Sequence, residues 1–335
     1  SLSVNNVEMY SDSGGYSTES VIHSLSAQID GLTRDINNVY IHDVSTQEHT
    51  INLYVVDGAN STNNVVRNTA IEDATVSLGA AIAFGTYDDG GTFSGDAYNN
   101  TIEDMTVGSG GVLFAASQST GSGNGVVNAS FRNITTRLST AGSTGSIVAV
   151  SVAVSGRTAT VNMVLQNNLL INGACGEYTF GASGTEDINI TSLGGNIASE
   201  AGCSTYLTEP SDQTGIAAAT LNAKLGPLQN NGGINPTIAL LAGSEAIDSG
   251  VANSLTADQR GQTRPQGAGV DTGAYELAVA APVSSVDSGA SLISPQAMLA
   301  STGQSQPAIM GSIALLTLLA VLAIAFGRHY RNIRA

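Results

Sequence analysis

The chain has 335 residues, of which only 11% are charged and 5% are aromatic, and its formal net charge is −16. Eleven Lys and Arg residues against 27 Asp and Glu residues provide no basic footprint, so we expect no nucleic-acid partner. The low charge also argues against a helix-rich fold, which needs many charged residues on its solvated faces. Two cysteines are too few for a disulfide-dense mini-domain or a cysteine-rich zinc site.

Residues 1–172 carry a repeated motif at a near-constant interval. Its copies begin 30, 31, 29 and 34 residues apart, at Ile41, Ile71, Ile102, Phe131 and Leu165. Short runs of Val, Ile, Leu and Thr alternate with small polar residues, which is strand periodicity, and Gly and Asn mark the turns. One such unit cannot bury its apolar face, but stacked units can, because each strand then pairs with its counterpart about 4.8 Å away.

This repeat predicts an all-β fold, a right-handed parallel β-helix, and resembles that of the parallel β-helix repeat superfamily. A β-sandwich is the competing fold, but it does not predict one motif at near-constant spacing. Asn residues at equivalent turns are expected to form hydrogen-bonded ladders along the stack.

Cys175 and Cys203 lie 28 residues apart, close to the length of one coil. Residues one coil apart lie above each other, near the Cα separation that a disulfide needs. We therefore expect a disulfide, which suits a non-reducing compartment, with two free buried thiols as the alternative.

Residues 173–276 are expected to form the terminal coils and a cap. Ordered motifs here include LGPLQNNGG from Leu225, PTIALLAGSEAIDSG from Pro236, DQRGQTRPQG from Asp258 and DTGAYE from Asp271. They are similar to the choice-of-anchor Q type C-terminal region of bacterial β-helix surface proteins. That resemblance implies a region that ends the β-helix and precedes a surface anchor. We expect ion pairs to pin the loops of this cap, among Asp248, Asp258, Asp271, Arg260 and Arg264.

Residues 277–307, rich in Ala, Ser, Val and Pro, are expected to be a flexible stalk. Near its end stands the pentapeptide Leu299, Ala300, Ser301, Thr302 and Gly303. This motif resembles the LPXTG sorting signal of Gram-positive surface proteins, in an LAXTG variant. The resemblance implies that a sortase cleaves between Thr302 and Gly303 and joins Thr302 to a cell-wall amine. Ala300 replaces the usual Pro, which leaves the class of sortase open.

Residues 308–327 are predicted to be a transmembrane helix. Nineteen uncharged residues, 308–326, would span about 28 Å as a helix, close to the thickness of the hydrocarbon core. The basic residues of 328–335 then predict a cytoplasmic tail, with everything before the helix outside the cell. A buried core helix is the alternative for this segment, and a plain membrane tether is the alternative to sortase linkage.

The outer part of the chain carries eight bases and 27 acids, a formal charge of −19, which suits a soluble extracytoplasmic surface. An exported domain needs an export signal, and the first residues, SLSVNNVEMY, have none of its features. We therefore expect the chain to be a fragment or processed product of a longer protein.

The candidates for catalysis are the repeated carboxylates of Glu72, Asp73, Glu103 and Asp104. Stacked one coil apart, they would either bind Ca²⁺ or supply paired acid and base groups to a polysaccharide lyase or glycoside hydrolase. Two observations count against this: the alignment places Arg132 and Gln166 at the position of Glu72, and the coils lack Lys. Fold analogy alone carries no enzymatic claim.

Cofactor sites are weakly indicated. Asp88, Asp89 and Asp96, in and after a Gly-rich loop, are candidate Ca²⁺ ligands, with a solvated acidic loop as the alternative. We expect no other cofactor and no transition-metal site, since the histidines do not cluster: His23, His42, His49 and His329.

The sequence thus predicts a cell-surface β-helix that is anchored to the membrane or the wall. We expect a non-enzymatic adhesin-like or structural display module with a glycan or surface-protein ligand. A surface-attached polysaccharide-degrading enzyme is the alternative.

Overall fold

Short runs of β-branched and aliphatic residues wind into an all-β parallel solenoid of about six turns. The computed structural model describes residues 1–278 except 12–15, 18–19, 28–29, 78, 108–109, 140–144 and 181–182. The predicted sorting motif, membrane helix and basic tail, and all but the first two residues of the predicted stalk, lie outside the described residues. Among the described residues, no helix has the length and apolarity needed to cross a bilayer. The right-handed sense of the winding stays a prediction.

Sheet A has 13 strands and forms one long wall of the solenoid. Its longer strands are Leu2–Tyr10, Arg34–His42, Asn60–Arg67, Gly91–Tyr98, Gly125–Arg132, Thr158–Gln166 and Thr185–Ser192. In five turns the chain passes a corner after the longer strand and forms a shorter strand of the same sheet. A sixth short strand follows later in the chain. The six short strands are Ala70–Glu72, Thr101–Glu103, Thr135–Arg137, Leu169–Ile171, Ile197–Ala198 and Gln213–Thr214.

Two further sheets complete each turn. Sheet C contains Ile22–Ala27, Ile51–Val56, Ile82–Tyr87, Gly111–Ser119, Gly145–Ala153 and Ala174–Thr179. Sheet B is narrow and contains Tyr16–Ser17, Ser45–Thr46, Thr75–Val76 and Thr106–Val107. Strand pairs within these three sheets are parallel, so each strand hydrogen-bonds to the equivalent strand one turn away.

The register confirms the predicted stacking for the first copies of the motif. Ile71 pairs with Ile41 on one side and with Ile102 on the other. The alignment of the last two copies was wrong, because Ile102 pairs with Thr136, whereas Phe131 pairs with Ala97 on the preceding strand.

The physical reason for this error lies in the corners. The same three-residue pattern occurs at both ends of the short strand: an apolar residue, an outward residue, and an Asn or Asp in the left-handed conformation. The segments Phe-Arg-Asn and Ile-Glu-Asp therefore look alike in the sequence. The position of Glu72 and Glu103 is therefore occupied in the next turn by Arg137, not by Arg132.

The first of these corners carries one Asn in each of six successive turns. All six residues adopt the left-handed conformation, with φ between 51° and 56°, which Asn tolerates better than other non-glycine residues. They follow one another in register along sheet A. We call this row the asparagine ladder, and its rungs are Asn6, Asn38, Asn68, Asn99, Asn133 and Asn167.

The main core fills the interior of the solenoid with Ile, Val, Leu and Phe side chains. Phe84 lies 5.4 Å from Phe93 and 5.6 Å from Phe131, between ring centroids. A second apolar cluster lies on the other face of sheet C: Ala80, Ala83, Phe114, Ala116, Val148 and Val150. Sheet C therefore has apolar side chains on both faces, which explains the near-continuous apolar runs of its strands.

The chain after the coils follows a different course. A 3₁₀ helix, Ala201–Thr205, and a short α-helix, Ala218–Asn222, lead to an antiparallel pair, Leu225–Gln229 and Thr237–Leu240. Residues 225–277, which we call the lateral strap, then lie along the side of sheet A and reach the early turns. The predicted cap is thus largely a lateral structure, with its own apolar cluster around Leu221, Ile238 and Leu240.

Candidate functional site

The lateral strap binds the asparagine ladder through peptide groups. Asn167 pairs with both backbone groups of Val251: its Nδ2 donates to the Val251 carbonyl at 2.8 Å, and its Oδ1 accepts the Val251 N–H at 2.7 Å. Asn99 Nδ2 donates to the Ala257 carbonyl at 2.9 Å. Between them, Asn253 Nδ2 donates to Asn133 Oδ1 at 2.8 Å. Asn99 and Asn167 therefore hold peptide groups of the strap, and Asn133 holds a side-chain amide of the strap.

A second contact fixes the strap to the early turns. Asn235, which is buried, donates from Nδ2 to the carbonyl of Val39 at 3.0 Å and to that of Asn68 at 2.8 Å. One side-chain amide thus joins two successive turns.

The strap covers the ladder unequally. Asn99, Asn133 and Asn167 are buried, with at most 4% of their surface exposed, whereas Asn6 is exposed and Asn38 is half-buried. Asn38 Nδ2 donates to Asn6 Oδ1 at 3.1 Å. No strap group is bonded to these first two rungs among the described residues, so the amino-terminal end of the ladder faces open space.

The first cleft lies at this open end and has a volume of about 510 Å³. Its floor comes from sheet A and its wall from the strap: Asn6, Glu8, Asn38, Tyr40 and Glu72 face Gln229, Asn230, Ile234 and Asn235. Ile234 has 64% of its surface exposed at the rim. Among the described lining residues there is no Lys or Arg, so the cleft carries the negative charge of two glutamates.

Hydrogen bonds orient these two glutamates. The Tyr40 hydroxyl donates to Glu72 Oε2, and partial burial together with this carboxylate raises the pKa of Tyr40. His42 Nε2 is 3.0 Å from Glu8 Oε1, and its Nδ1 is 2.8 Å from Asp43 Oδ2. Partial burial opposes protonation of His42, but the hydrogen bonds to Asp43 and Glu8 outweigh it and raise the pKa of His42.

Aromatic stacking also orders the sheet A side of the rim of the first cleft. The His42 ring stacks on Tyr40, with 4.4 Å between centroids, and on Tyr10, with 5.2 Å between centroids. The rim is therefore an ordered surface of rings from two turns.

The second cleft, of about 460 Å³, shares Asn38 and Ile234 with the first. Its charged groups are already paired. Arg67 binds both carboxylate oxygens of Asp35, at 3.1 and 3.0 Å, and Arg260 binds Asp258 at 2.7 Å. This pairing makes the second cleft the less available of the two for an ionic ligand.

The predicted catalytic carboxylates lie in different settings. Glu72 lines the first cleft, whereas Glu103 is buried and accepts hydrogen bonds from the Arg137 guanidinium, which also donates to the strap carbonyl of Gly226 at 2.8 Å. Burial raises the pKa of Glu103, and Arg137 opposes that rise.

Asp73 and Asp104 lie at the second corner, exposed and in the left-handed conformation. Burial and the neighbouring carboxylates of Glu72 and Asp104 raise the pKa of Asp73. Both aspartates therefore serve the turn geometry of this corner, where their backbone φ is 47°.

The predicted calcium ligands do not form one site. Asp96 binds the Arg132 guanidinium on the outer face of sheet A, while Asp89 accepts the Ser122 N–H at a different corner. No group of three or more His, Cys, Asp or Glu side chains able to hold a metal ion occurs within the described ranges.

The cysteines and the strap carry the remaining cross-links. Cys175 and Cys203 form a disulfide with a Cα separation of 5.0 Å. In the strap, Arg260 pairs with Asp258, but Arg264 pairs with Glu276 at 2.9 Å, a partner that the sequence did not suggest. Asp271 instead accepts backbone N–H groups of Asp248 and Leu277, at 2.8 and 2.6 Å.

Sequence reasoning did not identify Asn38, Tyr40, Glu8 or Asn235 as parts of a site. The one available signal was the Asn residues that precede most copies of the motif, at 37–38, 63–64, 99–100 and 128, which we interpreted only as a structural ladder. The strap residues come close to the ladder only through the tertiary fold, so no local pattern marks them.

No family model, curated protein or solved structure matches this chain.

Proposed function

We propose that the chain is the anchored part of a bacterial cell-surface protein, whose solenoid is a non-enzymatic display or adhesin-like module. The observation that supports this proposal best is the pairing of charged side chains between turns of sheet A. Glu103 with Arg137, Asp96 with Arg132 and Arg67 with Asp35 join adjacent turns. Groups neutralised in this way are poor acids or bases for catalysis.

Two features support an extracytoplasmic location. The Cys175–Cys203 disulfide is of the kind that persists outside the reducing cytosol. The acidic outer part, followed by an apolar stretch and a basic tail, is typical of a protein held by its C-terminus with the body outside. On the motifs of 171–276, we further propose a choice-of-anchor Q type region before that anchor.

The anchor itself is either a sortase linkage at Thr302–Gly303 or a plain membrane tether through 308–327. Fractionation of cells that express the parent and the Thr302→Ala variant distinguishes them. Sortase linkage predicts that the parent stays with the wall after detergent extraction and that the variant is extracted. A parent that is extracted by detergent would leave only the tether, and a protein found in the cytosol would overturn the proposed location.

The second candidate function is a surface-attached polysaccharide lyase or glycoside hydrolase. The observation that favours it is that Glu72 and Glu8 line the same cleft. A carbohydrate-cleavage screen with the parent, Glu72→Gln and Glu103→Gln tests it. Activity that Glu72→Gln abolishes would replace the display proposal, whereas the display proposal predicts no cleavage by the parent.

Calcium binding near Asp88 and Asp89 stays a separate proposal. It predicts a rise in melting temperature on addition of Ca²⁺, and loss of that rise in the Asp88→Ala, Asp89→Ala double variant. A parent that shows no rise would end it.

A further inference from the structure

The amino-terminal end of the asparagine ladder presents the same side-chain amides with which Asn99 and Asn167 bind peptide groups of the strap. At Asn167 the side-chain amide makes two hydrogen bonds to one residue of the strap, at 2.8 and 2.7 Å. These two hydrogen bonds recognise the main chain of the bound segment and do not involve its side chain. Asn6 and Asn38 have the same backbone conformation and lie in the same row, with φ of 56° and 55°.

The strap stops short of these two rungs. Asn38 and Asn6 share one hydrogen bond between their side chains, which leaves the Asn38 acceptor and the Asn6 donor without a bond among the described residues. Both residues line the first cleft, whose strap wall is formed by Gln229 and Asn230. An extended segment entering this cleft would meet ladder amides on one side and strap amides on the other.

The charge of the first cleft determines what kind of segment fits. Glu8 is paired with His42 Nε2 at 3.0 Å but keeps 59% of its side-chain surface exposed, and Glu72 accepts only the Tyr40 hydroxyl among the described residues. With no Lys or Arg among the described lining residues, a cation is favoured there and an anion is repelled. Such complementarity selects the partner more than it adds affinity.

We propose that the first cleft binds an extended polypeptide segment of a partner protein that carries Lys or Arg. Asn6 and Asn38 hold its main chain, as Asn167 and Asn99 hold the strap, and Glu8 with Glu72 holds its cation. This inference rests on the proposed display function and gives that module a class of partner. The precedent of the bound strap favours a peptide over a glycan.

The test uses the full chain in detergent and three fluorescein-labelled Ser/Thr decapeptides that differ only in a central pair: Lys-Lys, Gln-Gln or Glu-Glu. Fluorescence anisotropy gives each Kd. We expect the Lys-Lys peptide to bind about tenfold more tightly than the Glu-Glu peptide, with the preference declining at high salt. The Glu8→Gln variant should lose most of the difference between the Lys-Lys and Gln-Gln peptides.

The ladder contribution is tested with Asn38→Gly, because Gly keeps the left-handed backbone and removes the amide. We expect about a tenfold loss of affinity for all three peptides. Asn63→Gly is the matched control, since Asn63 is exposed, has φ of 59° and lies outside both clefts. Its Kd should equal that of the parent.

Three outcomes would overturn the proposal: equal affinity for the three peptides, no binding of any, or equal effects of Asn38→Gly and Asn63→Gly. Binding of neutral cellohexaose that Asn38→Gly abolishes, without peptide binding, would make the cleft a glycan site instead. Cell fractionation separates this failure from failure of the proposed function. A surface-located chain that binds no peptide would refute only the peptide site.

Discussion

Burial of His49 predicts that the solenoid loses stability in acid for one identifiable reason. Its side chain is 5% exposed, its Nδ1 accepts the Ala80 N–H at 2.9 Å, and its ring centroid lies 5.8 Å from that of Phe114. Burial, with a smaller contribution from His23, lowers the pKa of His49 to about 3. The folded protein therefore requires the neutral ring.

The sign and size follow from proton linkage. The unfolded chain takes up a proton below about pH 6.5 and the folded chain only near pH 3, so stability is complete above 6.5 and is lost as the pH falls. A pH of about 4.5 lies about two units below the pKa of histidine in the unfolded chain. At that pH the free energy of unfolding is therefore lower by about 2.7 kcal/mol.

The comparison with His49→Asn isolates this effect from the titration of carboxyl groups, which both proteins share. Asn keeps an acceptor for the Ala80 N–H and does not titrate. We expect the variant to be less stable by about 1–3 kcal/mol near neutral pH, because ring packing is lost. That deficit should shrink by about 2.7 kcal/mol near pH 4.5. Urea unfolding followed by circular dichroism measures both; a deficit that is the same at both pH values would refute the reasoning.

Four further predictions concern the fold. The pKa of His42 is raised, so its stabilising contribution is present below about pH 6.5 and is lost as the pH rises through the folded pKa. The difference in unfolding free energy between the parent and His42→Asn should therefore narrow as the pH rises. A difference that widens as the pH rises would contradict this prediction. Arg34 is buried and donates to Ser24, Asn64 and other neutral acceptors, and no carboxylate of the described residues pairs with it. Arg34→Ala should cost about 2 kcal/mol more than Arg34→Met in urea unfolding, since Met fills the volume; equal costs would assign the effect to the hydrogen bonds alone. Cys175→Ser should lower the unfolding free energy by about 3–4 kcal/mol, from a disulfide that closes a 28-residue separation, and an unchanged midpoint would exclude that contribution. Asn63→Ala should cost about 1–2 kcal/mol and Asn63→Gly much less, because φ is 59° there; the reverse order in thermal melts would exclude left-handed strain.

The stacking of turns was predictable because the spacing of Ile41, Ile71 and Ile102 is a local property that repeats. The register of the later turns was not, because two corners share one pattern of an apolar residue, an outward residue and a left-handed Asn or Asp. Only the hydrogen bonds between strands show that Arg137, and not Arg132, follows Glu103. In this register the neighbouring turn supplies an ion-pair partner for Glu103, one of the predicted catalytic carboxylates.

The sequence by itself determined a repeating unit of about thirty residues, its strands and the Gly and Asn residues at its turns. These depend on side-chain periodicity and on backbone preference, which act over a few residues. Only the tertiary structure decided that residues 225–277 lie beside the coils, with Asn235 bound to Val39 and Asn68. That contact joins residues more than 160 positions apart, and its backbone carbonyl acceptors are the same in every residue type. No pattern of side chains along the chain records it.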